Sequence, residues 1–296
     1  MTRIPLSYSL RSMMARKLTT GLSVTGIALV VFVFTAVLML AHGLQKTLVA
    51  TGDPLNALII RKGTDSELLS GVTRDAASMI NTLPQIATGS DSKPVSSSEV
   101  VVIINLRKTG SHDMGNVTVR GVSGGAFQLR PAVKLTEGRL FQPGSREIII
   151  GSAIAKQFEG VIIGEKTKFG GDTWTIVGVF EANGTGFDSE IWGDVEQLLA
   201  AFNRLGAYSS VTVRLNDTRG FADLQKALES DQRFQQVNAV REPEYYAKQS
   251  EVMAAFIRIL GIAVTIIFSI GAVIGAMMGT FTGYVEGVLH DMAPRR

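Results

Sequence analysis

The run GLSVTGIALVVFVFTAVLMLA, Gly21 to Ala41, decides how the rest of the chain is read. No charged residue occurs from Leu18 to Ala41, and Val, Leu, Ala, Ile, Phe, Gly and Thr make up nearly all of it. At a rise of about 1.5 Å per residue, such a run crosses a hydrocarbon core of roughly 30 Å with room for tilt. It predicts a membrane-spanning helix over residues 18–42. A cleavable signal sequence would carry a shorter apolar region, about 7–15 residues, closed by a small-x-small site. Met39-Leu40-Ala41-His42 lacks the small residue at the first of those positions, so the span is read as an uncleaved anchor.

The flanks of this span set its direction. Arg3, Arg11, Arg16 and Lys17 precede it with no Asp or Glu among residues 1–44. Cytoplasmic flanks collect Lys and Arg, which places the N-terminus inside and the chain beyond His42 outside. Residues 1–17 read as an amphipathic arm lying in the headgroup layer, with Arg11, Arg16 and Lys17 as interface anchors.

A second span is expected toward the other end. Pro243 suits the first turn of a helix, and from Ile259 to Val285 there is no charge. The span is set at residues 256–285, with Arg258 at its outer edge, where a long side chain reaches the interface. Residues 286–296 then form a cytoplasmic tail. Gly271, Gly275, Gly279, Gly283 and Gly287 recur at every fourth residue, and the first three are taken as a helix-packing face.

The sequence pI of 9.2 does not indicate a nucleic-acid partner. The basic excess sits at the membrane flanks, whereas residues 45–255 hold 22 basic and 24 acidic side chains. Cysteine is absent, so no disulfide braces the outer region and no thiolate is available for metal or nucleophilic chemistry.

That outer region, residues 43–255, reads as an α+β domain. Asn56–Arg61 is a short buried strand, residues 73–83 a helix, and Glu99–Leu106, with five successive Val and Ile residues, a strand covered on both faces. A second such unit comprises a strand at 210–215, a helix at 221–228 and a strand at 236–240. Residues 54–106 and 194–242 would share one sheet in the manner of split β-α-β folds. Between them, residues 107–193 are Gly-rich with short strands at 117–122, 147–150, 167–169, 174–180 and 190–192, and are expected as an inserted β-rich lobe. A small helix is expected at 152–158, and another at 195–205 with Asp194 as its N-cap.

Two motifs suggest chemistry, and neither holds. Gly121-Val122-Ser123-Gly124-Gly125 has the G-x-S-x-G form of a nucleophile elbow, but Gly124-Gly125 and Pro131 disfavour the helix that must come after it. The one later His, His290, lies beyond the second span. Gly160-Val161-Ile162-Ile163-Gly164-Glu165-Lys166-Thr167 approaches a P-loop with the glycine spacing one short and a carboxylate where Lys is needed. His42, His112 and His290 are too scattered for a metal site. No catalytic residue, cofactor or metal is expected, and the protein is read as not an enzyme.

Several phrases resemble the MacB/FtsX-type permease subunits of ABC transporters. Ser9-Leu10-Arg11-Ser12, Arg16-Lys17-Leu18-Thr19 and Gly26-Ile27-Ala28-Leu29 resemble the start of that family's first span. Val119-Arg120-Gly121-Val122, Glu137-Gly138-Arg139 with Phe141, Glu147-Ile148-Ile149-Ile150-Gly151, Trp174-Thr175-Ile176-Val177-Gly178-Val179-Phe180 and Asp188-Ser189-Glu190-Ile191-Trp192 resemble its periplasmic core. Residues 268–277 resemble its second span. The resemblance implies an inner-membrane protein with a porter-like part (54–106 and 194–242) and a β-rich insert (107–193). It also implies a cytoplasmic ATPase subunit, a homodimer of four-span subunits and a periplasmic adaptor as partners. After Met277 the family pattern would continue with a coupling segment and two more spans, so a truncated or split permease, needing its other half as partner, is the expectation. The alternative is a two-span scaffold whose outer domain binds a partner without transport.

Overall fold

The computed structural model describes residues 17–49 and 51–292. The described residues divide into two compact units, those within 46–250 in one and those of the flanking segments, 17–45 and 251–292, in the other.

In the flanking unit, α1 (Lys17–Val49) carries the first apolar run. Two stretches of helix, Val24–Gly43 and Glu242–Gly275, are long and apolar enough to cross a membrane. Large apolar side chains on both stand exposed, among them Phe32, Met39, Ile259 and Ile267. Among the described glycines, Gly261 marks a close approach of the two helices. A Cβ added to Gly261 would lie 2.3 Å from Val37 Cγ1, so only a bare backbone fits there.

The 46–250 unit is built in chain order from β1 (Asn56–Arg61), β2 (Val72–Thr73), α2 (Arg74–Ile80), β3 (Ser96–Arg107), β4 (Met114–Val122), α3 (Ala126–Leu129), β5 (Lys134–Gly138) and β6 (Glu147–Gly151). Next come α4 (Ser152–Gln157), β7 (Lys166–Phe169), β8 (Asp172–Glu181), β9 (Glu190–Asp194), α5 (Val195–Ala201), β10 (Ala207–Tyr208), β11 (Ser210–Arg214), α6 (Gly220–Ser230) and β12 (Val237–Arg241). The last element, α7 (Glu242–Met292), begins in this unit and continues through the second apolar run.

The main sheet runs in the order β12-β1-β11-β3-β4-β9-β6-β8-β5, with β7 paired to β8. Strand β11 lies between β1 and β3, antiparallel to both, and β1 lies between β11 and β12. The units β1-α2-β3 and β11-α6-β12 are therefore interleaved split β-α-β units, as the sequence pattern predicts. The residues expected as an inserted β-rich lobe extend the same sheet. Strand β3 makes the join, pairing with β11 through Ser96–Glu99 and with β4 through Val100–Arg107.

One face of the sheet packs against α2, α4, α5 and α6, around Ile59, Val100, Val119, Ile148, Trp174 and Leu198. Gly121 is part of this packing, since a Cβ there would meet Val195 Cα at 2.9 Å. Asp194 caps α5 by accepting from the backbone N–H groups of Glu196 and Gln197. The opposite face holds Leu58, Ile149, Phe180, Trp192, Tyr245 and Tyr246. That face is not covered along its whole length, because Ile103 is 48% exposed and its strand is covered on both faces only up to Val102.

Candidate functional site

Period-two alternation puts Arg120 of β4, Glu99 of β3, Glu190 of β9 and Ser210 and Thr212 of β11 on the same sheet face. Arg130 reaches it from the end of α3, Glu67 from the segment between β1 and β2, and Glu242 from the first turn of α7. All six charged residues are less than 9% exposed. Burying that much charge is stable only if each group is paired and hydrogen-bonded.

The pairing is dense. Arg120 forms a fork on Glu190, Nε to Oε2 at 2.8 Å and Nη2 to Oε1 at 2.9 Å. Its Nη1 donates to Glu99 Oε2 at 2.8 Å and to Glu67 Oε1 at 3.0 Å. Arg130 grips Glu99 through Nη1 at 2.5 Å and Nη2 at 3.2 Å, and also donates to Thr212. Ser210 donates to Glu67 and Trp192 Nε1 to Glu190. The Phe187 ring lies under both guanidiniums, 4.9 Å from that of Arg130 and 5.7 Å from that of Arg120. Burial alone would raise Glu99, but the Arg130 and Arg120 charges hold its carboxyl below the usual range.

The start of α7 closes this floor. Tyr245 and Tyr246 cover the network, and burial pushes both phenols up. Tyr245 OH accepts from the Glu67 backbone N–H, and Gln249 and Lys248 bind the backbone and the carboxylate of Asp65. Glu242 Oε2 accepts from the Asp53 N–H at 3.0 Å and from Asn56 Nδ2 at 2.8 Å. At Gly52 a Cβ would lie 2.5 Å from Pro243 N, so the chain leaving α1 crosses the chain that opens α7 at backbone distance. Residues 242–250 thus belong to the folded domain, and the part of α7 left free to enter a membrane begins beyond them.

Nothing in this arrangement exposes a nucleophile or an acid–base pair to a substrate. Its chemistry is attachment. Ser123 of the apparent elbow accepts from the Ser98 N–H at 3.0 Å and leads into the four-residue α3, in spite of Gly124-Gly125. Gly125 is required there for another reason, since a Cβ would lie 2.0 Å from Ser96 O. The P-loop-like run ends in β7 instead of a helix. Among the described residues no group of His, Asp and Glu is arranged to hold a metal ion.

The residues singled out from sequence lie elsewhere. Lys17 opens α1, while Arg11 and Arg16 fall outside the described residues. Arg258 is exposed and donates through Nε to its own helix at the Ala254 carbonyl. Gly271 and Gly275 face open space, and Gly279 lies on the same helix. In the sequence, Arg120 and Glu190 stand out only inside phrases that carry a family resemblance.

Residues 20–231 match the family described as the MacB-like periplasmic core domain. No curated protein sequence matches the chain. Among solved structures it is similar to the periplasmic region of MacB from Actinobacillus actinomycetemcomitans, at 13% identity over 66% of this chain and 92% of that one, with a TM-score of 0.49. It is also similar to the extracellular domain of the ABC-type transporter YknZ from Gram-positive bacteria, at 15% identity over 62% of this chain and 99% of that one, with a TM-score of 0.46.

Proposed function

The chain belongs to the family of the MacB-like periplasmic core domain, and from that premise we propose that it is a permease component of an ABC transporter in the cytoplasmic membrane. Its 46–250 domain stands outside, and a cytoplasmic ATPase partner drives that domain's motion. The observation that carries this reading is the extent of the family match, which begins at residue 20 inside the first apolar helix and runs to residue 231, just past α6. Anchor and outer domain are thus one module. The exposed apolar surfaces of α1 and α7 support it, because side chains such as Phe32 and Ile267 find their natural solvent in lipid.

The structure of the α7 root suggests how motion would pass. A helix that is clamped by Glu242, Tyr245 and Gln249 at one end and continues into an apolar run at the other can move the sheet as a body when the run shifts. Gly271 and Gly275 stay open for a helix of a companion membrane subunit.

The test is ATP turnover by the cognate cytoplasmic ATPase in nanodiscs containing this chain and its companion membrane subunit. Stimulation that depends on this chain is expected, together with an ATP-dependent change in the reactivity of a cysteine placed at Ser92 of the otherwise cysteine-free chain. Unchanged turnover and unchanged reactivity would contradict the proposal and favour a scaffold that binds a partner without transport.

A further inference from the structure

The buried network holds four carboxylates, Glu67, Glu99, Glu190 and Glu242, against two guanidiniums, Arg120 and Arg130. If all were ionised, two negative charges would lack a cation among the described residues. Uncompensated buried charge is costly, and a carboxyl group avoids that cost by keeping a proton.

Protonating one carboxyl group halves that excess, and the hydrogen bonds identify which one is placed to take the proton. Glu67, Glu99 and Glu190 each have both oxygens engaged by guanidinium, hydroxyl or indole donors. Glu242 engages only Oε2, and its Oε1 has no hydrogen-bond partner. Arg130 Nη2 stands 3.3 Å from that oxygen, within ion-pair distance but out of line for a hydrogen bond, and is already committed to Glu99 and Thr212. A second orphaned acceptor sits on the residue already bonded to Glu242. Asn56 Oδ1 has no partner, while Asn56 Nδ2 donates to both Leu129 O and Glu242 Oε2, which fixes the orientation of the amide. A proton on Glu242 Oε1 would turn one of these unmatched acceptors into a donor and leave the acid neutral beside the amide that already donates to its Oε2.

We propose that Glu242 is a proton-operated latch that holds residues 51–56 against the root of α7 while protonated and lets them go when the proton is lost. The latch needs only the geometry of the 46–250 domain and stands whether or not the chain works with an ATPase.

The sign comes from linkage. Burial is the largest influence on Glu242 and raises it. Arg130, the Asp53 N–H and Asn56 pull it down without overcoming that effect, and Glu99 adds to the rise. A proton bound more tightly in the closed state than in the water-exposed open state favours closure at low pH, and closure weakens as pH rises through the raised value. Four groups facing the latch keep their charge state as the pH rises. Arg120 and Arg130 stay cationic, and Tyr245 and Tyr246 stay neutral. Asp53 turns its carboxylate to Arg214 and the Leu55 N–H.

Hydrogen exchange of the full chain in nanodiscs, between about pH 5 and pH 9 and corrected for intrinsic chemistry, reads the latch directly. Protection of residues 51–56 should fall by up to about tenfold per pH unit above the titration of Glu242 in wild type, and should stay high throughout in Glu242→Gln. A flat wild-type profile, or a Glu242→Gln profile with the wild-type slope, overturns the proposal. Should that variant not fold, infrared spectra of wild type suffice. A protonated-carboxyl stretch must be present at the acid end and vanish over the same interval as the protection, and its absence refutes the latch.

Discussion

Two carboxylates in one network give the domain opposing pH dependences. Glu242, raised by burial, contributes stability at low pH that is lost as pH rises through its folded value. Glu99, held low by Arg130 and Arg120, contributes stability above the ordinary carboxylate range that is lost as pH falls through its folded value. Glu99→Gln should therefore lower the stability of the domain at neutral pH by about 3–5 kcal/mol, because Glu99 is the carboxylate that hydrogen-bonds both buried guanidiniums. It should also flatten the acid limb of the stability profile. Both tryptophans, Trp174 and Trp192, lie in this domain, so tryptophan fluorescence of the full chain during denaturant unfolding at several pH values measures it. An unchanged acid limb would show that Glu99 is not the group being titrated. The network could not be read from sequence for a physical reason. Arg120 and Glu190 alternate with apolar residues as solvent-facing positions of a half-buried strand do. Their burial depends on residues 63–71, 126–130 and 242–246 folding over them, and none of those segments has a periodicity that points there.

Elements with strong local patterns are legible, and those defined by their partners are not. Strands β6, β8 and β11 are apparent from apolar runs and alternation, and α5 from Asp194, which does cap it. Strand β5 is exposed at every position, so no pattern marks it, and β2 and β10 have two residues each. The parallel pairing of β4 with β9 joins residues about 70 apart, which no window of sequence reveals. The same contrast holds for the two long helices. Glycine spacing directs attention to Gly271 and Gly275, yet the close approach within the chain is at Gly261 against Val37. The Cβ built at Gly261 lies 3.0 Å from Val37 Cβ, near the range that a disulfide spans after a small adjustment. Val37→Cys combined with Gly261→Cys should form an intrachain disulfide on mild oxidation in membranes, detected as a mobility shift that reductant reverses. A control pairing Val37→Cys with Gly271→Cys should not form one. Equal yields from both pairs would mean that the helices have no fixed register.

For the whole molecule, the outline of two apolar helices flanking a mixed α/β domain in sequence is what the structure shows. A break in texture at residue 107 suggests an inserted β-rich lobe, because Gly-rich turns and short strands replace β-α-β units. The long strand β3 passes through that break and makes one sheet of both parts. Under the proposed function, a single sheet bonded to the start of α7 at Glu242 and to the segment after α1 at Asp53 would carry the movement of either helix. Such a role requires above all that the domain lie across the membrane from the N-terminus. Single cysteines at Ser92, Ser230 and Ser7 of the cysteine-free chain, exposed in intact cells to a membrane-impermeant thiol reagent, test it most directly. Labelling is expected at positions 92 and 230 and none at position 7, and labelling at position 7 with protection of the other two would contradict it.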